Sequence, residues 1–195
     1  MTRRRTARDS LPAVVTSFFQ DHLRVVRGAS PHTIRAYRDA LRLFLIFLAE
    51  ARGRAVDDLR LPDLQVEHVT AFLSHLESKR GNGARTRNCR LTALRSFFSH
   101  LLRHDPTNAD QYSRVLALPA KRFQVPAATY LEPEDVRAVL RMPDCRTPLG
   151  MRDHALLLFM YNTGARVSEA LAVREEDLEL TRPHRVRLHG KGKKV

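Results

Sequence analysis

Apolar residues recur every three or four positions through the first hundred residues, and each such stretch is closed by glycine, proline or a polar cluster. That period marks helices that bury one face. Leu11, Val14, Val15, Phe18 and Phe19 predict a first helix over about 10–26. Ser30-Pro31 supplies an N-cap and a proline at the first helical position, which opens a second. This helix turns Ile34, Tyr37, Leu41, Phe44, Leu45 and Leu48 inward and stops near Gly53. A third covers about 66–80, with Val69, Phe72, Leu73 and Leu76 inside. After the break Gly81-Asn82-Gly83, a fourth covers about 84–103 and buries Leu91, Leu94, Phe97, Phe98 and Leu101.

The period then fails. Prolines 106, 119 and 126 and the polar run Thr107-Asn108-Ala109-Asp110 read as a linker over 106–131. The chain therefore divides into a helical domain over 1–105, that linker, and a second domain over 132–195. In the second domain, acidic residues around Pro133 suit the first turn of a helix that runs to about Met142. The next helix, about 149–162, is apolar on most sides and is expected to be central and buried. Thr163-Gly164 stops it, and Ser168-Glu169 starts a short helix through Leu171. Asp177-Leu178-Glu179-Leu180, a Thr181-Arg182-Pro183-His184 turn and Val186-Arg187-Leu188-His189 show alternation of period two; followed by Gly190-Lys191-Gly192-Lys193-Lys194, this reads as a strand and a Gly/Lys-rich hairpin turn, with a second strand beginning at Val195.

Charge changes the picture. Lys and Arg number 34 against 21 Asp and Glu, a net of +13. Residues 1–125 carry 22 basic and 11 acidic side chains, so most of the excess lies there. A balance like that favours a polyanionic partner, of which nucleic acid is the commonest. A membrane partner is not favoured: apolar runs reach only seven residues, as in Leu43–Ala49, against the roughly 18 that a membrane span needs. No apolar core follows the basic N-terminus to make a secretory signal. Cys89 and Cys145 are far apart and outside any metal-type spacing, which points to a reducing, cytoplasmic setting without structural zinc.

The basic residues also form stripes. Arg35, Arg38 and Arg42 fall at i, i+3 and i+7 on the second helix, and Arg85, Arg87, Arg90 and Arg95 crowd the first half of the fourth. From Ser78 to His104 there are seven Lys or Arg and no acidic residue. A solvated helix face mixes both signs, because opposite charges four apart support the helix. A one-signed face is expected to lie against a nucleic-acid backbone.

Five segments then carry a family likeness. SPHTIRAYRDAL (30–41), NCRLTALRSFF (88–98), RDHALLLFMYNTG (152–164), TGARVSEAL (163–171) and RVRLHGKGKKV (185–195) resemble, in this order, segments of the tyrosine recombinases, or phage integrases. The resemblance spans essentially the whole chain. It implies a mainly α protein: an N-terminal four-helix SAM-like core-binding domain, a linker, and a truncated α+β catalytic domain with a small β-hairpin. It also implies double-stranded DNA and further recombinase protomers as partners, and no metal or other cofactor. Arg166 would contact the scissile phosphate, Lys191 would protonate the leaving 5′ oxygen, and Glu169 would support the arginine or the helix start. Such chemistry needs these residue types. A guanidinium fork can grip two nonbridging oxygens at once, and preset charge of this kind contributes about 3 kcal/mol per donor.

The family's His-x-x-Arg motif and its tyrosine nucleophile follow the hairpin, whereas Tyr37, Tyr112, Tyr130 and Tyr161 all precede Arg166. His32-x-x-Arg35, His100-x-x-Arg103 and His184-x-x-Arg187 also precede the hairpin and are read as chance strings. No nucleophile is therefore assigned, and the chain by itself is expected to bind DNA without cleaving it. The alternatives are an inactive protein that occupies recombination sites and a general nucleic-acid-binding helical protein.

Overall fold

The computed structural model describes residues 10–125, 127 and 129–190. Two compact units emerge, one through Val125 and the other beyond it. In the first, Ser10 caps α1 (Leu11–Ser17) by accepting the amide hydrogen of Ala13. The helix widens to a π-helical turn over Phe18–Val26. Residues five apart diverge by about 140° in an α-helix; the wider turn brings Phe18 and Leu23 together on the buried side. Ser30 caps α2 (Pro31–Arg52), which ends at Gly53 with φ +59, a left-handed cap that glycine adopts without strain. α3 (Val66–Ser78) and α4 (Ala84–His104) complete the four helices read from the sequence.

These helices close on an aromatic core. Phe18 meets Phe97 edge-on at 5.2 Å, Phe44 meets Phe72 at 5.5 Å, and Phe98 meets Tyr112 at 5.7 Å. Tyr112 belongs to the segment expected to be linker, and here the structure corrects the expectation. Residues Pro106–Asn108 form a 3₁₀ turn, and Ala109–Ala117 form a fifth helix, α5. Tyr112 and Val115 are fully buried, and the Tyr112 hydroxyl donates to Asp105 Oδ2 at 2.8 Å. Of the polar residues that suggested a linker, Thr107 and Asn108 lie in the 3₁₀ turn and Asp110 on the exposed side of α5; Tyr112 and Val115, with Leu116 packed beside them, hold the helix to the core.

The segment beyond α5 is fastened as well. Arg95 donates to the Leu118 carbonyl. The Asn88 amide both donates to the Lys121 carbonyl (2.7 Å) and accepts its N–H (3.0 Å). Lys121 Nζ reaches Glu77 at 2.8 Å. The chain is therefore held to the first unit as far as Lys121.

In the second unit, α6 (Pro133–Arg141) is opened by Asp135, which accepts the Glu132 amide hydrogen. Thr147 caps α7 (Pro148–Thr163). His154 Nδ1 donates to the Leu140 carbonyl at 2.8 Å and ties α7 to α6. Gly150 is required, since a Cβ there would run into the Asp144 carbonyl. α7 ends at Gly164, φ +66, and α8 (Val167–Ala170) follows. The expectation of a buried central helix is not met: of the α7 residues only Gly150 is buried, while Leu149, Met151, Leu158 and Tyr161 are exposed. The helices packed on α7 are α6 and α8, both short, and they cannot cover a helix that is apolar nearly all round. β1 (Leu178–Glu179) and β2 (Arg185–Val186) pair antiparallel around the turn at 180–184, with Leu178 opposite Val186. The predicted turn from Lys191 and the strand at Val195 lie outside the described residues.

If α5 is part of the core, Tyr112→Ala costs about 3–5 kcal/mol, as aromatic truncation in a core does. Urea denaturation followed by circular dichroism measures it, and a loss near zero would return this segment to the linker. His100 gives a second check. Burial, then the neighbouring His104, His22 and Arg103, push its pKa down from 6.5 to about 4. Between those values the unfolded chain binds a proton that the folded one refuses, so stability falls as pH drops through that window. His100→Leu is expected to flatten that part of the pH profile of the urea midpoint.

Candidate active site and nucleic-acid interface

The arginines of α2 and α4 do not form one surface of equivalent groups. On α2, Arg35, Arg38 and Arg42 are exposed along one side. Their contacts are weak and local: Arg35 with His32 Nδ1 at 3.2 Å, and Arg38 with Asp39 at 3.4 Å. Exposed ion pairs of this kind contribute roughly 0–1 kcal/mol and yield readily to a stronger anion. Arg42 borders an apolar groove of about 370 Å³ lined by Val15, Phe19, Leu41 and Leu45.

Of the four arginines in the α4 stripe, only Arg85 is exposed. Arg90 reaches back to the Ala36 carbonyl of α2 at 3.5 Å. The Arg87 side chain is 11% exposed, lies 3.6 Å from Glu77 and donates to Asn88. Arg95 spends its guanidinium on the Leu118 carbonyl. The Nε atoms of Arg87 and Arg95 are buried without a hydrogen-bond partner. Arg95 therefore fastens the chain that follows α5, while Arg87 is drawn to Glu77 and Asn88, the two residues that hold Lys121; the expectation that they face a nucleic acid is not supported by their placement. One-signed charge along the helix concealed this, because the balancing carboxylate, Glu77, comes from α3.

In the second unit, Arg166 opens α8 with extended backbone (φ −69, ψ 152), immediately after the Gly164 reversal. Ser, Thr, Asp or Asn usually stands at such a cap. Here the capping is done from the third helical position: Glu169 Oε2 accepts the Arg166 amide hydrogen at 2.9 Å. Its other oxygen, Oε1, accepts from Arg166 Nη1 at 2.6 Å. One carboxylate thus holds both backbone and head of the same arginine. Glu169 is 14% exposed, while the arginine side chain remains 73% exposed, so the guanidinium is oriented yet still open to a ligand. The amide bond, and next the guanidinium bond, hold the Glu169 carboxyl below the usual glutamate range.

Two residues unforeseen from the sequence hold the ribbon that leads to the Gly/Lys segment. Asp177, 7% exposed, accepts the Arg174 amide hydrogen on Oδ2 at 3.0 Å and the His189 Nε2 hydrogen on Oδ1 at 2.8 Å. The His189 bond, then the Arg174 amide, hold the Asp177 carboxyl below its ordinary range. Part of the signal was legible: Arg174-x-x-Asp177 repeats the Arg166-x-x-Glu169 spacing of a carboxylate-closed cap. Lys191 lies outside the described residues. Among the described residues, no group of three or more His, Cys, Asp or Glu is placed to hold a metal ion, and no helix is long and apolar enough to cross a membrane.

The fold and site define a class: a basic, mainly helical unit followed by an α+β unit that presents an arginine gripped by its own helix. Comparison with known proteins narrows it. The profile of the phage integrase N-terminal SAM-like domain matches residues 17–105, and that of the phage integrase family matches residues 129–195. A Sinorhizobium fredii protein named as an integrase/recombinase, y4rD, is 42% identical over 185 residues, which cover 94% of this chain and 66% of that protein. The tyrosine recombinase XerC of Bacillus licheniformis is 33% identical over 178 residues, covering 91% of this chain and 55% of XerC. The structure of the XerH site-specific recombinase, solved as a post-cleavage complex with its palindromic difH substrate, matches with a TM-score of 0.64 at 22% identity. The match covers 92% of this chain and 51% of XerH. This chain belongs to the phage integrase family, the tyrosine recombinases. It spans between half and two thirds of the length of these relatives.

The split bond at Glu169 predicts its titration. In Arg166→Ala the carboxyl pKa rises only part of the way towards an ordinary glutamate, because the larger cause, the backbone amide, remains. Carbon-detected NMR titration of the Glu169 carboxyl measures this; full recovery would show that the guanidinium was the main partner. Since the folded value is the depressed one, this contact stabilises above the unfolded pKa and is lost as pH falls through the folded one.

Proposed function

We propose that this chain is the DNA-gripping and arginine-bearing portion of a site-specific recombinase, acting on double-stranded DNA together with other protomers on the same DNA. The observation that carries the reading is the Arg166–Glu169 arrangement: a guanidinium held in place by a carboxylate and left open to bind the nonbridging oxygens of a scissile phosphate. Such preset charge acts where negative charge develops in the transition state. In the reaction inferred from the family, a tyrosine hydroxyl attacks phosphorus and forms a phosphotyrosyl bond. The bond to the 5′ oxygen breaks, and Lys191 protonates that oxygen as it leaves. The covalent link conserves the phosphodiester for rejoining, so the scheme calls on no metal or other cofactor. Glu169 acts as the positioning residue.

The first unit grips the duplex in this reading. Arg35, Arg38, Arg42 and Arg85 are the contacts best supported by exposure, and Arg90 joins them at the seam between α2 and α4. Residues 1–105 serve as the core-binding domain, extended by α5, and residues 132–195 serve the chemistry. The two free cysteines suit the cytoplasm. By the family's order the nucleophile follows the hairpin, and none of the four tyrosines of this chain takes that place. In this scheme residues 1–195 supply the DNA grip, Arg166 and Lys191, and no nucleophile is assigned among them.

Titration of duplex DNA across a range of salt tests this. Reversing Arg38 and Arg85 to glutamate is expected to reduce the slope of log K against log salt by about 0.9 for each phosphate contact removed. An unchanged slope would take that face out of the interface. Under denaturing conditions no covalent protein–DNA adduct is expected; finding one would mean that a tyrosine before Arg166 is the nucleophile.

A further inference from the structure

The groove beside Arg42 is apolar and open to solvent. Val15 of α1, Phe19 of the π-helical turn, Leu45 and Ile46 of α2 and Val56 beyond it line its sides, over a floor of buried Leu41. Its volume, about 370 Å³, lies within the range of pockets that take a ligand. Arg38 and Arg42 border it. The Arg38 side chain is 63% exposed and is held by Asp39 at 3.4 Å, while the Arg42 guanidinium makes no hydrogen bond or ion pair among the described residues. An apolar centre rimmed by cations suits an occupant with the reverse pattern, apolar side chains beside carboxylates. A nucleic acid supplies anions but no side chain to fill the centre. Residues 1–9, with four arginines against one aspartate, would bring like charge to the rim.

The second unit carries a segment of the required kind. Tyr130 and Leu131 stand in irregular chain, 84% and 61% exposed, and the exposed Glu132, Glu134 and Asp135 follow at once. From Phe123 to Val136 there is no basic residue. Glu134 meets Arg137 at 3.4 Å with both side chains largely exposed, a weak pair that yields to a better one. Other exposed apolar segments fit less well. Val25 and Val26 stand between Arg24 and Arg27, and Leu178 and Leu180 lie at the β-ribbon, between Arg174 and Arg182.

We propose that the groove of one copy receives Tyr130 and Leu131 of a second copy, with Glu134 and Asp135 of that copy facing Arg38 and Arg42. Groove and segment lie at different places on the chain, so two copies related by a twofold axis make the contact twice and close as a dimer. Tyrosine is a fitting anchor, since it brings a large contact area at a low cost in rotamer freedom. The rim charges supply orientation and make the contact sensitive to salt. Arg38 and Arg42 also belong to the face read above as contacting DNA, and on that reading the dimer is the state of the protein before it meets DNA.

Sedimentation equilibrium of this chain without DNA, at low salt and over a range of concentrations, tests the proposal. Twice the chain mass is expected, with an association constant that falls as salt rises. Tyr130→Ala and Arg42→Glu each alter an exposed side chain and are expected to weaken the dimer about tenfold or more, as the loss of an interface anchor does. Glu134→Arg should weaken it too, and Arg42→Glu combined with Glu134→Arg should recover most of the loss. Circular dichroism checks that each variant is folded. Tyr130 stands outside any helix, so its variant decides the matter even where a charge variant fails to fold. A monomer at every concentration overturns the proposal, whether the groove stays open, takes residues 130–135 of its own chain or serves a different protein. A dimer indifferent to Tyr130→Ala also overturns it, since another surface, such as the exposed side of α7, then makes the contact. Failure of the double charge variant to recover the dimer overturns the assigned charge pairing. No DNA is present, so these outcomes leave the DNA reading standing; failure of that reading shows instead as an unchanged salt slope of DNA binding.

Discussion

A carboxylate on the third residue of a helical turn, accepting the amide hydrogen of the residue that opens it, is the contact on which the second unit depends. Among the described residues it occurs at Glu132–Asp135, Arg166–Glu169 and Arg174–Asp177, and in the first unit at Arg60–Asp63. The consequence is freedom at the cap itself. When the carboxylate satisfies the orphan amide, the opening residue need not be a Ser or Asp, and its side chain is released for other work. At Arg166 the released side chain is a guanidinium. At Asp177 the capping carboxylate has one oxygen to spare, and that oxygen receives His189.

The first unit shows the same economy applied to charge. Its net positive balance suits a polyanion, but position sorts the arginines into two groups. Those on the outer side of α2, with Arg85, keep their heads in solvent. Arg87 and Arg95 are drawn inward, because the backbone after α5 offers carbonyls and α3 offers Glu77. Lys121 completes this fastening through Asn88 and Glu77. These side chains hold the chain that follows α5 rather than enlarge the basic face.

Much of the fold was legible because it rests on local rules. Helices α1 to α4 follow from apolar period, Ser-Pro starts and glycine stops, all of which act within a few residues. The stop at Gly164 was legible for the same reason, while support of Arg166 by Glu169 was an implication of the resemblance. α5 was missed because its burial relies on Phe98 and Asp105 of distant or preceding segments, while its own sequence is mostly polar. The exposure of α7 was missed for the converse reason: an apolar helix signals burial, but the amount achieved depends on what packs against it.

The sequence by itself determined every longer helix except α5, where the chain reverses before Arg166, and which family the motifs resemble. Each of these is written in contiguous residues and in backbone chemistry. Only the tertiary structure decided which arginines remain free, that α5 belongs to the core, and that Asp177 meets His189 twelve residues away. Those outcomes turn on pairings between distant residues, and a hydrogen bond or ion pair exists only once the fold brings donor and acceptor within about 3 Å.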